Sequence, residues 1–178
     1  EIIAFVLPEK ATEVPVFPEE LIKEGLEEIS SSPQGHLSRP SRYKILRAFR
    51  SPRIAGRIGI LCALKVLPIW RRYSGESHKI IALLRKAEHY LEEKANPDEI
   101  TRIADYTSSI VEGRDYGTDF APLMAGMAAV QAAYTVTDGN DYEEVAENDE
   151  ELASDEWDAA FLASLSCNGG AADLSEIN

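Results

Sequence analysis

Apolar residues recur at helical spacing along most of this chain, and the longest apolar run is Gly56 to Tyr73, GRIGILCALKVLPIWRRY. On a helical wheel Ile58, Ile60, Cys62, Ala63, Val66, Leu67, Ile69 and Trp70 fill a broad arc, with Arg57, Lys65, Arg71 and Arg72 opposite. An arc wider than a surface helix needs predicts a central core helix. Ser51 and Pro52 suit its N-cap and first position. Pro68 should kink or stop it, because proline lacks an N–H and clashes with the preceding turn.

Further helices follow from the same periodicity. Pro18 opens PEELIKEGLEEI, with Leu21, Ile22, Leu26 and Ile29 at helical spacing and acids in the first turn. Ser38 to Phe49 reads as a short basic helix in which Tyr43, Leu46 and Phe49 could face the core. Ile80, Leu83, Leu84, Ala87 and Leu91 form a regular stripe on the next helix. Asn96-Pro97-Asp98-Glu99 is a strong helix start, and Gly113 fits the residue just past that helix's end. Between Asp119 and Val136 lies a run of small residues (Ala121, Ala125, Gly126, Ala128, Ala129, Ala132, Ala133), which lets helix axes approach closely and predicts burial between neighbours. Ser154 should cap a last helix whose amphipathic stripe is Trp157, Ala160, Phe161, Ser164 and Leu165. The expectation is an all-α, single-domain bundle of about seven helices over 18–171, with an extended N-terminal arm (1–17) and a tail (172–178).

Charge changes this picture. The 178 residues carry a net charge of −13. Up to Arg114 the chain has 18 basic and 16 acidic residues; beyond it there is no Lys or Arg and 15 acids accumulate. Between Ile29 and Gly75 the balance is reversed, with ten Lys/Arg and no acid. Phosphate repels so acidic a field, which argues against nucleic acid as a partner of the whole chain. Either a basic partner is steered in, or the acids serve solubility. The basic helix could pair with the acidic half of the same protein. No stretch reaches ~18 uncharged apolar residues, so no membrane span is expected. EIIAFVLPEK lacks a positive n-region and is no signal peptide. A cytoplasmic location is expected.

Candidate chemistry is sparse. GxSxG, the P-loop, GxGxxG and HExxH are all missing from the sequence. His36, His78 and His89 show no metal-ligand spacing. Cys62 lies on the apolar arc and Cys167 in the tail, so neither supports a Cys–His pair. Asp138, Asn140 and Asp141 invite a calcium loop, but Tyr142 and Glu143 occupy the fifth and sixth places and break the EF-hand pattern. The acids of Asp138 to Glu151 read as solvated, the opposite of what acid–base catalysis needs. No catalytic residue, metal or cofactor is expected.

Three stretches together resemble a known family. They are VLPIW (Val66 to Trp70) with the helix ending AEHYLEEK (Ala87 to Lys94), AGMAAVQAAYTVTD (Ala125 to Asp138) with its acidic spacer, and WDAAFLASLSCNGGA (Trp157 to Ala171). In that order they resemble immunity protein family 5, a predicted all-helical family from bacterial polymorphic toxin systems. The resemblance spans about Arg53 to Ala171, and its most specific part is the WDxxF…GG segment. It implies a protein that binds and blocks a cognate toxin. Such toxins are often nucleases with basic substrate-binding surfaces. Trp70, Trp157, Asp158, Phe161, Gly169 and Gly170 match the family landmarks; the aromatic ones also fit a core stripe. Asp138, Asp141, Glu143, Glu144, Glu147 and Asp158 are the candidate partner-binding residues. The family pattern usually continues past the GG with an end resembling RxFWxWYL, whereas this chain ends DLSEIN. Either the sequence is trimmed or this member ends differently. The alternative function is a non-catalytic scaffolding protein whose acids only solvate it.

Overall fold

A computed structural model describes residues 18–33, 37–49, 51–93, 96–139 and 158–167. These form seven α-helices: α1 (Glu19–Ser31), α2 (Arg39–Ala48), α3 (Pro52–Tyr73), α4 (Ser77–Glu93), α5 (Pro97–Glu112), α6 (Ala121–Tyr134) and α7 (Ala159–Cys167). A π-helical turn, Thr135–Gly139, extends α6. The fold is all-α, as the hydrophobic periodicity predicts. The expected arm (1–17) and tail (172–178) lie outside the described residues.

The hub of the bundle is α6, which packs against α3, α7, α5 and α4. Ten of its fourteen residues are buried, among them every small residue the sequence singled out. Alanine and glycine at seven of these ten positions allow this, because few long side chains hold the neighbouring axes away. Helix α3, expected at the centre, is instead the chief partner of α6. The two run antiparallel, since Gly56 lies against Val136, Gly59 against Ala132 and Gly126 against Trp70. Ile60, Ala63, Val66, Leu67 and Trp70 are buried, while Ile58, Cys62 and Ile69 are only partly so.

Helix α4 crosses α3 and α5 with its predicted stripe intact: Ile80, Leu83, Leu84, Ala87 and Leu91 are all buried. Helix α5 starts as expected, with the Asn96 side chain accepting from the Asp98 N–H at 3.0 Å. Its C-cap is Gly113, whose N–H reaches the Ser109 carbonyl at 3.1 Å. Helix α7 lies antiparallel to α6: the buried Ser166 hydroxyl donates to the Ala121 carbonyl at 2.8 Å, while Ala159 lies beside Ala132 across Gly59.

Three expectations are corrected. Pro68 does not end α3, which continues to Tyr73. Pro68 is exposed, as is Leu64, whose carbonyl loses its usual donor and can turn to water; Trp70, two residues on, anchors the remaining helix in the core. Leu26 is 60% exposed rather than packed, because α1 meets α2 through the buried Gly25, where Ile45 and Leu37 approach. The last helix starts at Ala159, with Asp158 rather than Ser154 before it, and is buried on most sides. Ser154 and Trp157 lie outside the described residues.

Two glycines separate close packing from spare room. A Cβ on Gly126 would stand 2.8 Å from both Val111 methyl groups and 3.0 Å from Trp70. One on Gly59 would meet Ala132 and Ala159 at 3.6 Å, an ordinary contact. Gly59→Ala should therefore stabilise the protein by about 0.5–1 kcal/mol through helix propensity. Gly126→Ala should destabilise it by about 1–3 kcal/mol through overpacking, despite the same propensity gain. Urea denaturation of both variants checks the opposite signs.

Candidate protein-binding site

The best-defined charged site is the corner where α1, α2 and α7 meet. Asp158 precedes α7 and caps it: one carboxylate oxygen accepts from the Phe161 N–H at 2.9 Å, and its carbonyl accepts from Leu162 at 3.1 Å. The other oxygen is held by Arg42, whose Nε and Nη2 both lie 2.8 Å away. Both side chains are inside, at 5% and 8% exposure. Arg42 also donates to the Leu37 carbonyl at 2.6 Å and lies over the Phe161 ring at 4.8 Å. The expectation that Asp158 faces a partner does not fit this placement, because its carboxylate is already shielded and neutralised within the chain. Among the described residues, the basic helix pairs with the acidic half through Arg42 and Asp158.

Glu28 fastens the same corner. Its carboxylate accepts from the Ser38 N–H at 2.7 Å and the Ser41 hydroxyl at 2.5 Å, so α1 caps the start of α2. Burial pushes its pKa up, but the bonds from Ser38 and Ser41 and the charge of Arg42 outweigh that and hold it below the usual value. Cys62 lies near this corner. Burial, reinforced by the Asp158 charge and opposed by Arg42, pushes its thiol up to about 11, so it stays protonated at neutral pH.

Among the other predicted residues, Trp70 and Phe161 are in the core. The backbone of Asp138 lies in the π-helical turn. Asp141, Glu143, Glu144, Glu147, Trp157, Gly169 and Gly170 lie outside the described residues. Among the described residues no group of three or more His, Cys, Asp or Glu is placed to hold a metal ion. No described helix is long and apolar enough to cross a membrane.

A second cluster, which sequence reasoning missed, forms where α3 ends, α4 begins and α5 passes into α6. The Tyr73 and Tyr116 rings stack with centroids 5.0 Å apart, and each lies about 6.5 Å from the buried Trp70 (6.4 and 6.5 Å). The Tyr73 hydroxyl donates to the Asp115 carbonyl, and the Tyr116 hydroxyl to the Val111 carbonyl at 2.5 Å. Burial, the neighbouring Tyr73 and an opposing Arg114 leave the Tyr116 hydroxyl at about 12. The Arg114 guanidinium stands 5.6 Å from the centre of the Trp70 ring and pairs with Glu76. Glu76 also binds Lys79 at 3.1 Å, and the Lys79 ammonium stands 5.5 Å from the Tyr106 ring centre. The bond from Lys79 outweighs desolvation and, with the charges of Lys79 and Arg114, holds the Glu76 carboxyl below its usual range. The available signal was the segment GRDYGTDF, whose aromatics interrupt a polar loop.

The class these features define is an all-α helical bundle bearing charged and aromatic surface clusters. The chain belongs to the immunity protein Imm5 family, whose model matches residues 22–178. That span exceeds the Arg53–Ala171 resemblance at both ends. No curated protein matches the chain. Membership makes this an immunity protein, of a class that generally neutralises a toxin and is generally non-catalytic.

Two predictions concern the charged corner. Asp158→Ala removes the α7 cap and leaves a buried guanidinium without its counter-charge, so it should cost roughly 3–5 kcal/mol in urea denaturation. Asp158→Asn, which keeps a cap oxygen, should cost less. For Glu28, the folded carboxyl titrates below the unfolded value of about 4.3. Its contribution is complete above that value and is lost as pH falls through the lower, folded one. The fall in thermal midpoint on acidification below about pH 4.3 should therefore be shallower in Glu28→Gln than in the wild type.

Proposed function

We propose that this chain binds a cognate bacterial toxin stoichiometrically and blocks it by covering a basic functional surface, such as the substrate-binding face of a nuclease. Family membership supports the toxin; the single observation that carries the choice of a basic surface is the asymmetry of charge, 15 acids and no base beyond Arg114. A surface of that sign attracts a basic protein and raises its rate of encounter. The contact zone we propose for this steering is the acidic stretch of Asp138, Asp141, Glu143, Glu144 and Glu147. The protein acts without catalysis, in the cytoplasm, where a toxin would otherwise reach its target. Asp158 is left out of this proposed zone because its carboxylate pairs with Arg42 within the chain.

Co-expression with the product of the adjacent gene should rescue growth and yield a complex of fixed stoichiometry. Unchanged toxicity would overturn the reading and leave the acids a role in solubility. Neutralising the five acids together should slow association about tenfold or more at low salt and flatten its salt dependence, read by stopped-flow mixing. An unchanged rate would dismiss this stretch as the steering element.

A further inference from the structure

Of the five large apolar side chains exposed among the described residues, three are aromatic: Tyr73 at 40%, Tyr106 at 58% and Phe120 at 38%. Tyr73 and Tyr106 belong to the cluster around Arg114, and Phe120 ends the same loop. Aromatic rings left open to water around one cluster mark a candidate interaction surface. The rings are also pre-arranged. Tyr73 is stacked on Tyr116 and tied to the Asp115 carbonyl, and Tyr106 is flanked by Lys79. Rigid aromatic side chains offer large contact area at little entropic cost on binding. Tyrosine, tryptophan and arginine are the residues that most often carry binding energy at protein interfaces.

Charge indicates what fits there. The two cations of the cluster, Lys79 and Arg114, share Glu76, so their charge is partly spent within the chain. Asp115 and Asp119 are exposed, and their oxygens accept from the Gly117 and Ala121 backbone N–H groups, contacts that leave the negative charge without an ion pair among the described residues. Ring faces beside such carboxylates suit arginine or lysine side chains of a partner, which can lie on the ring and reach the acid. On a chain of net charge −13, a basic protein surface is the complementary occupant.

We propose that the aromatic surface formed by Tyr73, Tyr106, Tyr116 and Phe120, with Asp115 and Asp119 beside it, is the anchoring patch for a basic toxin surface. This rests on the immunity reading above and adds to it the place where the bound complex is held. Steering by the acidic stretch acts on association, whereas this patch acts on dissociation.

The test is binding of the purified chain to the catalytically inactivated product of the adjacent gene, followed by surface plasmon resonance. Tyr73→Ala, Tyr106→Ala and Phe120→Ala alter exposed positions, and circular dichroism verifies that each variant is folded. At least two of the three should speed dissociation tenfold or more with association changed less than threefold. Leu26→Ala and Leu64→Ala, exposed apolar controls outside the cluster, should stay within twofold of the wild type. Wild-type dissociation rates in all three aromatic variants would overturn the patch while leaving the immunity reading standing. A wild-type chain that neither binds nor neutralises the toxin would overturn both. A wild-type dimer in sedimentation that Tyr106→Ala dissociates would assign the surface to a second copy and overturn the choice of occupant.

Discussion

The structure depends on how closely α6 lets its neighbours approach. Four helices touch this one fourteen-residue element, and none could do so past leucine-sized side chains. Burial there is spread over many small contacts rather than a few large ones. Most of the large side chains come from outside, with Trp70 from α3, Val111 from α5, and Leu162 and Leu165 from α7, while α6 itself adds Met124 and Val130. Gly126 is the tightest point of this arrangement, touched from two sides. Because interiors are close-packed, a single added methyl there is felt by α3 and α5 together.

The same constraint explains why the surface has two distinct corners. Around α6 the bundle closes by packing alone, but α1 and α2 have little apolar surface to offer it. They are fastened by polar contacts: Glu28 across the start of α2, and Arg42 into the cap of α7. A buried pair of this kind is costly to form and costly to break, so it fixes geometry more than it adds net stability. At the opposite end of α3, Trp70 carries the packing outward. Its ring is covered by Arg114 and flanked by Tyr73 and Tyr116, so that core and surface share one aromatic stack. Tyr73 and Tyr116 thus rest on a buried tryptophan.

Much of the fold was legible in the sequence because its signals are local. The α4 stripe, the Asn96 cap and the alanine run of α6 each depend on residues a few positions apart, and each is found as expected. The errors arose where a distant partner decides. Leu26 fits a helical stripe, yet Gly25 makes the contact, because close approach of α2 favours the residue with no side chain. Asp158 reads as one more acid in an acidic half, and only the fold brings Arg42 to it from 116 positions away. The aromatic cluster was invisible for the same reason. Tyr73, Lys79, Tyr106 and Tyr116 come from separate segments, and no periodicity links them.

In the complex we propose, these two kinds of surface divide the work of recognition. Long-range charge raises encounter rates but is screened beyond about 8–10 Å in physiological salt, so it cannot by itself hold a complex together. Aromatic contacts act only at van der Waals range and are nearly indifferent to salt, so they cannot guide an approach. An antagonist of a lethal partner needs both fast capture and slow release. An acidic stretch beyond Arg114 can supply the first, since for steering residue identity matters less than total charge. The second demands fixed geometry, which only the packed part of the molecule can give. The patch around Tyr73 and Tyr116 meets that demand because it is built on Trp70, and Trp70 is buried against Gly126, where no room is left for a Cβ.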